Sequence, residues 1–153
     1  MFFSWEPENM KLMTKGLIAG LVLVAGVAVA KEGVQDPTVK ARMDLMGTIG
    51  MNVKVLGDMA TDKAPFDATA AAAAKEALVA ASADIAAKFE PQATDPVSEA
   101  KPEIWTNWDD FVAKGEALNA AATAIDPASL EGIKAGMGAI GGTCRDCHST
   151  YRM

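Results

Sequence analysis

Apolar side chains recur along this chain at steps of three and four, and no stretch alternates convincingly with period two, so the pattern predicts helices throughout. From Val39 to Ala60 two neighbouring rows run together: Val39, Met43, Met46, Val53 and Ala60, flanked by Leu45, Ile49, Leu56 and Met59. That width suits a helix turning a broad face to a bundle core. A second stretch, Phe66 to Phe89, is dominated by alanine, with Leu78, Ile85 and Phe89 along one face. High helix propensity and small side chains permit close helix approach there. Pro91, Pro96 and Pro102 mark a long loop between Glu90 and Thr106. A third helix is expected over roughly Trp108 to Ile125 and a fourth over roughly Pro127 to Tyr151. Asp36-Pro37 and Asp126-Pro127 both read as helix starts, because aspartate caps free amides and proline gives up a donor that had no partner. Four helices with three connections predict an all-α domain, an antiparallel up-down four-helix bundle.

Upstream of the bundle, Met10 to Ala30 has a different character. Lys11 and Lys15 precede an apolar stretch starting at Gly16, and Ala28-Val29-Ala30 closes it. This is the order of a secretory signal, predicted to be cleaved after Ala30, with residues 31–153 as the mature domain. The stretch is short for a bilayer crossing and interrupted by glycines, so a retained membrane anchor on the periplasmic side is the secondary expectation. Glu6 and Glu8 do not suit the start of a signal, and Met10 is the expected true start.

Composition narrows the function. The 153 residues are 50% hydrophobic, enough for one ordinary domain with its own core. Net charge is −6, with 14 basic and 20 acidic side chains, which excludes the basic patch a nucleic-acid surface needs. No pocket of paired acid and base groups is legible, so no enzyme activity is expected. Two cysteines cannot make a disulfide scaffold, and one histidine cannot make a bis-histidine site.

Those scarce residues stand together, in Cys144-Arg145-Asp146-Cys147-His148. They end a row, Leu130, Ile133, Met137, Ile140, Cys144, Cys147 and Tyr151, that keeps helical spacing and puts both cysteines on the core-facing side of the fourth helix. Cys-x-x-Cys-His is the attachment motif for a c-type haem, one per chain. Thiols three residues apart can meet one edge of a flat ring, and the next histidine reaches the iron. A zinc site would need a fourth ligand from Asp or Glu, and a redox dithiol would need a strand-to-helix setting. A buried structural pair is the plain alternative.

The motif at the carboxyl end, through Ser149-Thr150-Tyr151-Arg152, resembles the cytochrome c-prime family, the class II cytochromes c. Lys101-Pro102-Glu103-Ile104-Trp105 in the long loop and Val39-Lys40-Ala41-Arg42 with Met46 in the first helix extend the resemblance across residues 31–153. It implies a four-helix bundle, often a homodimer through its first two helices. It also implies that the residue four after Arg42, here Met46, faces the side of the haem opposite His148. In low-spin relatives a methionine there ligates the iron; in many others a non-ligating group leaves the iron five-coordinate and open to gases. Arg42 is implied as a partner for a haem propionate, and Arg152 as a neighbour of the His148 side. Trp105 either covers the haem edge or packs on the bundle as a loop aromatic.

Two functions follow as expectations. The first is a periplasmic one-electron carrier with His148 and Met46 as axial ligands, steered by its acidic surface to basic redox partners. The second is a five-coordinate, high-spin protein that binds small gases such as NO or CO.

Overall fold

The computed structural model describes residues 33–153, so the expected signal segment lies outside the described residues. Four long helices carry the fold: α1, Pro37–Ala60; α2, Ala68–Ala83; α5, Trp108–Thr123; and α6, Leu130–Tyr151. Two short ones, α3 (Ile85–Phe89) and α4 (Glu103–Thr106), sit between α2 and α5. Among the described residues there is no strand, only an isolated antiparallel bridge between Ala100 and Arg152. Each long helix packs against the next, and α6 closes the ring on α1, so the architecture is the expected four-helix bundle.

The local causes are visible. Asp36 caps α1 by accepting from the Thr38 and Val39 amides at 2.8 and 2.9 Å, with Pro37 at the first helical position. Asp67 caps α2 in the same way through Thr69 and Ala70. Between α1 and α2 the inner surface of α2 is Ala71, Ala74, Leu78 and Ala81, all buried, so mostly methyl groups separate the two backbones.

Three expectations change at the element ends. The alanine-rich helix is not continuous: it breaks at Asp84, which ends α2 and begins α3 without a side-chain capping bond. The proline-rich loop contains the single turn α4. Asp126-Pro127 does not open the last helix. The Asp126 carboxylate accepts from the Ala128 amide at 3.0 Å, closing a turn, and Ser129 caps α6 by accepting from the Gly132 amide at 3.1 Å. The aspartate spends its oxygen on a tight turn, and the helix starts at Leu130.

The two rows of α1 have separate fates. Leu45, Ile49, Leu56 and Met59 are buried in the bundle core. Met43, Met46 and Val53, from the other row, face a cavity that Ile49 also touches. One helix therefore serves as core on one side and as pocket wall on the adjacent one.

Candidate functional site

The cavity has a volume of about 510 Å³ and lies between α1, α3, α5, α6 and the long loop. Cys144, Cys147 and His148 line it from α6, and Met43 and Met46 from α1. Hydrocarbon from Val39, Ile49, Ile104, Phe111 and Leu118 makes up much of the wall. The helical spacing of Cys144 and Cys147 brings both thiols to this one space, where they are half-buried and free of a disulfide. Burial raises both thiol pKa values, with the Lys114 ammonium opposing the shift at Cys147. At neutral pH they are thiols. Burial pushes the His148 pKa down, Arg152 adds to the effect and Glu99 opposes it. The imidazole is consequently neutral at neutral pH, the form that ligates a metal.

The carboxyl end of α6 is strapped in place. Lys101 donates its amide to the Tyr151 carbonyl at 2.9 Å, and Met153 donates to Glu99 at 2.8 Å. Arg152 adds an ion pair, with Nη2 at 2.5 Å and Nε at 2.6 Å from Glu99 Oε2. On the opposite side Lys114 of α5 reaches Asp146, between the two cysteines, at 2.6 Å. Tyr151 is 3% exposed and donates its hydroxyl to Asp110 at 2.6 Å, which pushes its pKa up to about 12. Its ring meets Phe111 edge-on at 5.4 Å.

Of the sequence-predicted residues, the structure brings Cys144, Cys147, His148, Met46, Arg42 and Arg152 to one cavity. Arg42 is only 3% exposed, and its guanidinium is already engaged. Nε donates to the Lys88 carbonyl and Nη1 to the Ala93 carbonyl, each at 3.2 Å, and Nη2 donates to the Pro91 carbonyl. The Phe89 and Trp105 rings lie 5.3 and 5.1 Å from its central carbon. Its visible work is to hold the end of α3 and the start of the loop. Trp105 is not among the cavity-lining residues. Its indole donates to the Phe89 carbonyl at 2.7 Å, which fixes the ring against the end of α3.

Sequence reasoning did not assign Met43 or Lys114 to the site. Met43 precedes Met46 by three residues, a spacing that puts two helical side chains on one face, so the signal was present. Lys114 lies on a different helix from Asp146, and no local pattern announces it. Among the described residues the other methionines fall elsewhere: Met59 is buried in the core, Met51 and Met153 are 63% and 73% exposed, and the Met137 methyl packs toward Gly57.

A cavity with two free thiols and a neutral imidazole at one end, hydrocarbon walls, and no buried side-chain N or O atom left unpaired among the described residues suits a large, mainly apolar ligand held covalently at its edge. Residues 37–152 match the family model described as Cytochrome C'. The chain belongs to the cytochrome c′ family. A cytochrome c-556 of Agrobacterium fabrum is 31% identical over 95% of this chain and 97% of its own length. A cytochrome c′ of Cereibacter sphaeroides is 33% identical, over 92% and 99%. Among solved structures, cytochrome c′ from Rhodobacter sphaeroides matches with a TM-score of 0.70 at 32% identity, covering 76% of this chain and 95% of that one. A nitric oxide complex of a cytochrome c prime mutant from Alcaligenes xylosoxidans matches at 0.68 and 28% identity, covering 75% and 93%. As in the rest of the cytochrome c′ family, the cofactor is covalent haem c, and the bundle is the family's fold. Among the described residues no helix is long and apolar enough to cross a membrane.

Proposed function

We propose that the chain binds a small diatomic gas, such as NO or CO, at the iron of a haem c attached through Cys144 and Cys147, with His148 as axial ligand. When bound, haem c supplies an iron centre that takes a ligand or exchanges one electron. The observation that carries the reading is the shape of the site. One cavity of about 510 Å³ runs from the thiols and His148 on α6 to Met43 and Met46 on α1. The α1 side offers flexible thioethers and hydrocarbon, with no histidine to compete for the iron. An uncharged diatomic suits such a wall, and a mutant of the similar cytochrome c prime from Alcaligenes xylosoxidans is known as a nitric oxide complex. Periplasmic residence is part of the same proposal, since haem attachment fits an exported chain.

The electron-carrier reading stands second, favoured by the position of Met46 on the cavity wall. Visible spectra of the purified haem-loaded protein, oxidised, reduced, and reduced with carbon monoxide, decide between them. High-spin bands that shift with carbon monoxide are expected. Sharp low-spin bands indifferent to the gas would put Met46 on the iron, and Met46→Ala should then turn the spectrum high-spin. A protein without a Soret band would remove both readings.

A further inference from the structure

Beside the main cavity lies a second hollow of about 300 Å³, between the α2–α3 junction and α5. Ala83, Glu116 and Ala120 at its rim are exposed, whereas Ile85 and Gly115 are buried. Those two residues also line the main cavity. One isoleucine side chain and one bare stretch of helix backbone thus form the wall between the two spaces.

Gly115 shapes that wall. A Cβ at this position would stand 3.3 Å from Ile85 Cγ2, 3.5 Å from its Cβ and 3.8 Å from its Cδ1. Without it, Ile85 packs directly against the α5 backbone. Ile85 is also the first residue of α3, a helix of five residues that lacks a side-chain capping bond. One turn earlier the contact is pinned: Asn119 donates to the Val79 carbonyl at 2.8 Å and to Ser82 Oγ at 2.9 Å. Ile85 meets α5 through hydrocarbon alone.

We propose that the smaller hollow is an entry site for small uncharged gases, and that Ile85, packed against Gly115, is the leaf separating it from the haem cavity. The chemistry of the lining selects the occupant. Ala83, Ala86, Val112 and Ala120 are apolar, Ser82 and Asn119 already bond to each other, and the one charged group, the Glu116 carboxylate, stands at the exposed rim. An ion or a polar metabolite would find no unpaired buried side-chain partner among the described residues. The inference rests on the gas-binding reading and extends it from where a gas ends to how it arrives.

Two variants of the haem-loaded protein test it. Ala120→Phe plugs the hollow from an exposed position that does not line the haem cavity, and Gly115→Ala wedges the leaf. Carbon monoxide recombination after flash photolysis should slow several-fold in both, with the reduced spectrum of Ala120→Phe unchanged. Unchanged rates in both would overturn the route, and Ala120→Phe alone decides it if Gly115→Ala does not fold. Crystals under xenon pressure give a separate reading. Xenon is expected in the hollow of the starting protein and absent from Ala120→Phe. Failure to find xenon there would overturn the entry site. A protein that ignores carbon monoxide yet holds xenon would sink the gas-binding function and leave the hollow as a gas site.

Discussion

Arg42 is the side chain on which the loop side of the molecule depends. Three carbonyls, of Lys88, Pro91 and Ala93, lie at the end of α3 and just beyond it, where no helical amide serves them, and one guanidinium supplies all three with donors. Replacing it by alanine leaves those carbonyls short of partners and two rings without their cation, a loss of about 3 kcal/mol. Arg42→Lys should recover only part of this, because an ammonium is a point donor and cannot span the fork. Urea denaturation of the two variants measures both effects. The residue was legible in the sequence as important, but its neighbours were not. The carbonyls it serves are 46 to 51 residues away, and nothing in local spacing tells a core-bound guanidinium from one offered to a ligand. Cys144, Cys147 and His148 were legible because their chemistry is written within five positions of one helix.

Helix α6 shows how finely an element's ends are set. A Cβ on Gly132 would stand 2.5 Å from the Asp126 carbonyl oxygen, so the turn before α6 folds back over this glycine. Gly132→Ala should therefore destabilise by about 1–3 kcal/mol despite alanine's better propensity. Gly138, with nothing within 4 Å of the same position, is the control. Gly138→Ala should stabilise by about 0.5–1 kcal/mol, and thermal unfolding of the pair separates contact from propensity. At the other end of α6, the hydrogen bond from Tyr151 to Asp110 holds the phenol protonated, with its pKa raised to about 12 against about 10 in an unfolded chain. Its stabilisation is complete below about pH 10 and lost as pH rises through 12. Tyr151→Phe should remove this alkaline slope, which a pH series of denaturation midpoints will show. The sequence foretold the four long helices because their periodicity is strong. It misplaced the start of α6 because Asp-Pro serves a turn as readily as a cap.

At the scale of the whole molecule, the cavity sits inside what would otherwise be a closed bundle. Hydrocarbon from Ile49, Ile104, Phe111 and Leu118 borders it. A protein that cannot attach its haem, such as the double variant Cys144→Ser, Cys147→Ser, has that surface without a partner. It should melt well below the loaded form, because a ligand held only by the folded state stabilises that state. Calorimetry of the two forms checks this. The bundle was legible from pattern alone, whereas the hollow was not, since periodicity marks which side of a helix is apolar but not whether hydrocarbon or a ligand covers it. The two rows of α1 carry a further consequence, for divergence. Leu45 and Leu56 tie the helix to the core, while Met43 and Met46 contact the cavity. Changes in the second row can therefore accumulate with little effect on folding, and the same scaffold can drift from one iron chemistry to another by exchanging one or two side chains.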